Sequence, residues 1–226
     1  MTKQEKIEKF DPTGLASGKH IYGLPFNYKD AEIVILPVPW EVTVSYAGGT
    51  ALGPEAILEA STQVDLYDPF VKDAWKMGLF MNKIDQRLAE KSRKYREKAV
   101  AYLAALEVEH IDNATEELLE KINKTCKKMV QWVEEECTRI MDDGKRVILL
   151  GGDHSTPLGY FRALAKRQSF GILQIDAHAD LRKAYEGFKY SHASIMYNAL
   201  KIDGVEKLVQ VGIRDYCEEE VEIIEN

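Results

Sequence analysis

Apolar positions along the chain keep two rhythms, one suited to buried strands and one to amphipathic helices. Residues 31–38 (Ala-Glu-Ile-Val-Ile-Leu-Pro-Val) contain a short β-branched run of the kind that fills a buried strand. Turn formers follow at Pro39, Gly48, Gly49, Gly53 and Pro54, and a helix is predicted from Pro54 through Ala56, Ile57, Leu58 and Ala60, with proline in its first turn. Residues 86–107 and 114–142 read as two long, highly charged helices. In the second, Leu118, Leu119, Ile122, Met129, Val130, Val133, Cys137, Ile140 and Met141 recur at helical spacing, so one face is apolar. Asp142-Asp143-Gly144 closes it with a glycine C-cap signal.

Beyond residue 145 the rhythm alternates quickly. Arg146–Leu150 reads as a buried strand, followed at once by Gly151-Gly-Asp-His-Ser-Thr-Pro157. A helix is predicted over 157–167, capped by Ser155 or Thr156. Phe170–Ile175 is the next strand and runs into Asp176-Ala-His-Ala-Asp-Leu-Arg182. Residues 192–201 suggest another helix with Ser191 as its cap, and 207–213 a further strand. Strands and helices joined by such short connections imply parallel pairing and an α/β sandwich. In sheets of this kind, sites gather at the C-terminal ends of strands, where both polar clusters fall.

Composition narrows the function classes. Of 226 residues, 45% are hydrophobic and 30% charged, ordinary values for a folded domain. The formal charge of −7 argues against a nucleic-acid partner, which needs a basic footprint. No apolar run approaches the ~18 residues of a membrane span, and the charged start has no signal-peptide core. A soluble cytoplasmic protein without a membrane partner is expected. Cys126 and Cys137, on one helix, would be ~16 Å apart and cannot bridge, so the three cysteines read as reduced and structural.

The sharpest chemistry is Asp176-x-His178-x-Asp180. Alternate side chains of an extended segment point to one side, yet a straight strand would spread these three over ~13 Å. The chain must therefore curl after the strand end, which Ala177 and Ala179 permit. Two carboxylates and an imidazole without a nearby thiolate suit a divalent ion rather than structural zinc. His154 ends the preceding strand, and neighbouring parallel strands would bring it to the Asp176 triplet. Gly151-Gly152 lacks the spacing of a phosphate loop; these glycines instead let the backbone bend so that His154 faces the metal, with Asp153 orienting the histidine or the turn. The bland alternatives are a surface Asp making a turn bond and a packed histidine.

Gly151-Gly-Asp-His-Ser155 together with Asp176-Ala-His-Ala-Asp180 resembles the metal motifs of the ureohydrolases, the arginase–agmatinase family, and Gly53-Pro-Glu-Ala-Ile57 with Glu59-Ala-Ser61 resembles their N-terminal segment. The resemblance implies a three-layer α/β/α sandwich with a mainly parallel sheet, forming a single domain over 1–226 with an N-terminal extension at 1–30 and a charged helical insertion at 81–117. It implies two Mn2+ per subunit, Ni2+ being the alternative, that serve hydrolysis of a guanidino C–N bond with release of urea. By position, His154 and Asp180 resemble ligands of one ion and His178 of the other, with Asp176 bridging. His192 resembles the family's proton-shuttling histidine, although a histidine at a helix start can also merely solvate the cap. A homo-oligomer, trimer or hexamer, is the expected assembly.

The sequence departs from the family in one respect: nothing after Ile213 matches its later Ser-x-Asp-x-Asp-x-x-Asp-Pro motif, which supplies two more carboxylate ligands. The expectation is therefore that these residues form the N-terminal part of a longer active polypeptide, with the sheet incomplete at its C-terminal side. Arg182 stands where arginases usually carry Asn, which argues against arginine as substrate. Agmatine is the first choice, supported by the form of the first motif and by Ser191-His192, both expected at the substrate. Guanidine is second, and guanidinobutyrate or formimidoylglutamate follow, the last because Arg182 would hold a carboxylate; the alternative for Arg182 is an ion pair on the surface. The charged helices read as solvated faces in preference to a subunit interface. A truncated, non-catalytic assembly module is the alternative of another class.

Overall fold

The strand at Ile33–Val38 (β1) is buried on both faces, and the molecule is layered around it. Val34, Leu36 and Val38 pack with Ile122, Met129, Val130, Val133, Cys137 and Ile140 of the long helix Asn113–Asp142 (α4, the second of the two charged helices). Ile35 faces the other way, into a smaller cluster with Ile21, Met81, Leu58 and Leu150. The computed structural model describes residues 1–16, 20–109 and 111–225; residues 17–19 of the expected N-terminal extension and His110 of the expected insertion lie outside them.

Around these elements the described chain runs α1 (Lys3–Lys9), β1, α2 (Gly53–Ala60), β2 (Leu79–Met81), α3 (Gln86–Glu107), α4, β3 (Arg146–Gly151), α5 (Leu158–Ala165), β4 (Phe170–Ile175), α6 (Ile195–Ala199), β5 (Val205–Val211) and α7 (Glu218–Glu225). Local chemistry explains several boundaries. Asp85 caps α3 by accepting from the Arg87 and Leu88 amides, and Asp112 caps α4 by accepting from Thr115 N–H. Gly144 closes α4 in the left-handed region (φ 73°), where glycine carries no Cβ penalty.

All strand pairing is parallel, but the ladder is in two pieces, ordered β2-β1-β3 and β4-β5. The expectation that β3 and β4 are adjacent is corrected: β3 pairs through its whole length with β1, and β4 with β5. His154 and the Asp176 segment meet because the loops beyond both C-terminal strand ends converge. Ile172 on the inner face of β4 joins the core with Leu158 and Ala163 of α5 and Ile195 and Ala199 of α6. On the outer face, Leu173 is 65% and Ile175 78% exposed, beside Val209 and Val211 of β5.

Two further local expectations shift. Neither Ser155 nor Thr156 caps α5, whose N-cap is Pro157 with no side-chain bond; both hydroxyls donate instead to Asp153, Ser155 to its carboxylate and Thr156 to its carbonyl. The final strand lies at 205–211 rather than 207–213, and the helix predicted over 192–201 is a short 3-10 turn at His192–Ser194 leading into α6.

Candidate metal centre

The turn after β3 is shaped by a close backbone approach. A Cβ on Gly152 would sit 2.0 Å from the Trp40 carbonyl oxygen, so only glycine fits, and the Gly152 and Asp153 amides donate to Val38 and Trp40 carbonyls. Neither Gly151 nor Gly152 has a positive φ. Gly152 therefore serves contact with β1's extension, and Gly151, whose Cβ would lie 2.2 Å from Thr156 Oγ1, the close fit of the turn itself, rather than an unusual bend. Asp153 is buried; its Oδ1 accepts from the Ser155 amide and hydroxyl, while its Oδ2 has no hydrogen-bond partner among the described residues. Burial pushes the Asp153 carboxyl above its ordinary range, against the pull of the Ser155 hydrogen bonds and the His192 and His154 rings.

The next residue, His154, meets the loop after β4. Its Nδ1 lies 2.6 Å from Asp180 Oδ2 and 3.1 Å from Asp176 Oδ2. The curl that permits this is at Asp180 itself, which adopts φ 55°, a conformation aspartate tolerates better than most residues. Asp176 Oδ1 accepts from the His178 amide, closing the turn, and the Asp180 carbonyl accepts from Met196 N–H at the start of α6. Burial lowers the basicity of His154, but its hydrogen bond to Asp180 and the charges of Asp180 and Asp176 outweigh it and hold the imidazole above its usual value. Burial raises Asp176, yet the amide of His178 and the Gln174 side chain bring it below the usual carboxylate range.

Ligand atoms of His154, Asp176 and Asp180 all lie within 4.8 Å of one another. This donor set, one imidazole and two carboxylates, fits a hard or borderline divalent ion. His178 stands just outside that group: its Nδ1 is 3.4 Å from Asp176 Oδ1, its Nε2 is 3.8 Å from Asp215 Oδ2, and its side chain is 60% exposed.

A cavity of about 520 Å³ opens beside them, lined by His178, Asp180, Arg182, Tyr185, His192, Asp215, Glu220 and the segment Val44–Ala47. His192 is fixed at its rim: its amide donates to Thr43 Oγ1, its Nε2 is 3.4 Å from Ser45 Oγ, and its ring meets Tyr185 edge-on. Ser191 is buried, with its hydroxyl accepting from Ala193 N–H, so it holds the turn and does not line the cavity. Arg182 lines the cavity, with its side chain 38% exposed. It stacks on Tyr185 and lies 3.7 Å from the buried Glu220, which also accepts from the Leu181 and Cys217 amides.

Sequence reasoning missed Glu220, Asp215, Thr43 and Ser45. Asp215 follows the end of β5 and was open to the same strand-end rule that flagged His154 and Asp176. The others carry no local signal, because the contacts that place them at the site reach across long stretches of chain, 39 residues from Glu220 to Leu181 and 149 from Thr43 to His192.

The sequence profile described as the arginase family matches residues 31–226. An N(1)-aminopropylagmatine ureohydrolase of Synechocystis is 31% identical over 88% of this chain and 56% of its own length. An agmatinase of Bacillus anthracis is 29% identical over 91% of this chain and 60% of its own length. Among solved structures, an agmatine ureohydrolase of Thermoplasma volcanium is 26% identical, with a TM-score of 0.64, covering 97% of this chain and 60% of that one. The arginase of Medicago truncatula, 23% identical with a TM-score of 0.61, has the same fold. The chain thus spans about 60% of the length of several relatives it matches.

Proposed function

The chain belongs to the arginase family, and from that premise we propose that it carries the metal-holding half of a hydrolase that cleaves a guanidino C–N bond and releases urea. The observation that carries the reading is the convergence of His154, Asp176 and Asp180 from two separate strand-end loops. His154 and Asp180 would hold one Mn2+ and His178 a second, with Asp176 between them. When bound, such a pair of ions makes water a nucleophile near neutral pH and polarises the substrate.

The chain's own residues supply the rest. Asp153, buried next in sequence to His154, holds the turn that presents it by accepting from the Ser155 amide and hydroxyl. His192 moves a proton at the cavity mouth, its ring held by Ser45 and Tyr185. Among the cavity's charged groups not given to the ions, Asp215 and Glu220 outnumber Arg182, which Glu220 already engages. That balance favours a cationic substrate arm over a carboxylate, so agmatine, or a longer guanidino amine such as the Synechocystis relative's name describes, fits better than arginine or formimidoylglutamate. Two divalent ions bring about four positive charges, and Asp176 with Asp180 return about two. The remaining carboxylates would come from polypeptide beyond these residues, in a soluble cytoplasmic homo-oligomer. No described helix is long and apolar enough to cross a membrane.

Two measurements test this reading. Titration of the 226-residue chain with Mn2+ or Ni2+ should show binding that His154→Ala abolishes. Urea release from agmatine by the longest natural polypeptide containing this chain should require the ion and vanish in His178→Ala. Absence of any divalent-ion binding by the unaltered chain defeats the reading and leaves the non-catalytic assembly module in its place.

A further inference from the structure

The segment 41–51 crosses the rim of the metal cavity and is pinned from outside by the charged helix α3. Trp40, Val42 and Thr43 are fully buried, but residues 45–50 are exposed, so packing no longer fixes them. Two residues one helical turn apart on α3 take over. Ser92, itself buried, accepts from the Glu41 amide at 3.0 Å, and Arg96 Nη1 donates to the Val44 carbonyl and, at 3.5 Å, to that of Val42. The returning arm is tied down by Glu41, whose Oε2 accepts from the Gly49 and Ala51 amides. Between these anchors Thr43 accepts from the His192 amide, and Ser45 Oγ lies 3.4 Å from His192 Nε2.

The other flank of His192 is held in the same manner by α4. Asn123 donates to the Gly187 carbonyl and accepts from the Lys189 amide, fixing the turn that leads to Ser191 and His192. We propose that α3 and α4 form a brace for the cavity rim, in which Arg96 is a positioning residue that sets the Val44–Ser45 wall against His192. The helices that read from sequence as solvated faces thus also have a task at the site. The proposal rests on the hydrolase reading only for what His192 does, not for how it is held.

The test uses the metal-free chain, so it does not depend on turnover. Arg96→Met keeps the aliphatic stem and removes the donors; Arg96→Lys restores one donor, which suffices because a single nitrogen makes both contacts. Hydrogen exchange of residues 43–48 should accelerate about tenfold or more in Arg96→Met, with β1 and α4 unchanged, and recover toward the original rate in Arg96→Lys. The His192 imidazole 15N signals should shift in Arg96→Met, and Ser45→Ala should reproduce that shift without touching the brace. Unchanged exchange at 43–48, unmoved His192 signals, or acceleration spread through the whole core each overturns the brace. A parallel Mn2+ titration of the unaltered chain separates the two ideas: no binding there defeats the hydrolase reading while the exchange result stands.

Discussion

His154 shares its Nδ1 with two carboxylates at 2.6 and 3.1 Å, so a proton there would compete with the proposed divalent ion for one place. Because its folded pKa is raised, its proton stabilises the metal-free fold fully below the unfolded value near 6.5, and that contribution is lost as pH rises through the folded value. Asp153, also raised, acts in the same direction above about pH 3.8. The metal-free chain should therefore melt at lower temperature as pH goes from 6 to 9. Mn2+ affinity should rise over the lower part of that range, by up to about tenfold per pH unit while His154 is still protonated. Calorimetric titration at several pH values and melting curves with and without Mn2+ check both trends, and His154→Asn should flatten them. Glu220 makes a second residue-scale case. Glu220→Ala strands the Leu181 and Cys217 amides and Arg182, and should cost about 3 kcal/mol in urea unfolding. The acids and imidazoles at strand ends were legible in the sequence because chemistry and position coincide there. Glu220 was not, because nothing in a run of glutamates marks the one that turns inward.

At the scale of elements, the α4–α5 crossing positions the His154 turn. Gly159 of α5 sits so close to α4 that a Cβ would lie 2.3 Å from the Val130 carbonyl oxygen and 2.8 Å from Val133 Cβ. Both obstacles belong to a helix fixed in the core, so neither yields cheaply. Gly159→Ala should destabilise by about 1–3 kcal/mol through overpacking, read as a lower urea midpoint. It should also weaken Mn2+ binding by displacing the turn at 151–157. The long helices and buried strands were readable from periodicity, and α3 and α4 start and stop within a residue of the predicted limits. The three-residue β2 was not, since so short a run has no rhythm of its own and exists only by pairing with β1. Strand β5 slipped by two residues because Val205 and Val211 bound the same alternating pattern as 207–213.

At the scale of the whole molecule, the α/β class with parallel strands follows from the alternation of elements, whereas the break between β3 and β4 has no trace in it. Short connections report that strands are parallel but not which strands are neighbours. The break matters for solution behaviour. Leu173 and Ile175 of β4 stand beside Val209 and Val211 of β5 in register, so four apolar side chains share one uncovered face. Single exposed apolar residues are normal, but a contiguous patch on a sheet with a free edge drives association. The isolated chain should accordingly bind a hydrophobic dye and scatter light increasingly at micromolar concentration. Leu173→Lys combined with Ile175→Lys should suppress both effects. It should leave melting almost unchanged, because those side chains are already 65% and 78% exposed and lose little burial. Undiminished scattering in the double variant would move the sticky surface elsewhere. In the longest natural polypeptide containing these residues, a covered face makes the opposite forecast: the same two lysines would then be buried, and the fold would lose several kcal/mol rather than gain solubility.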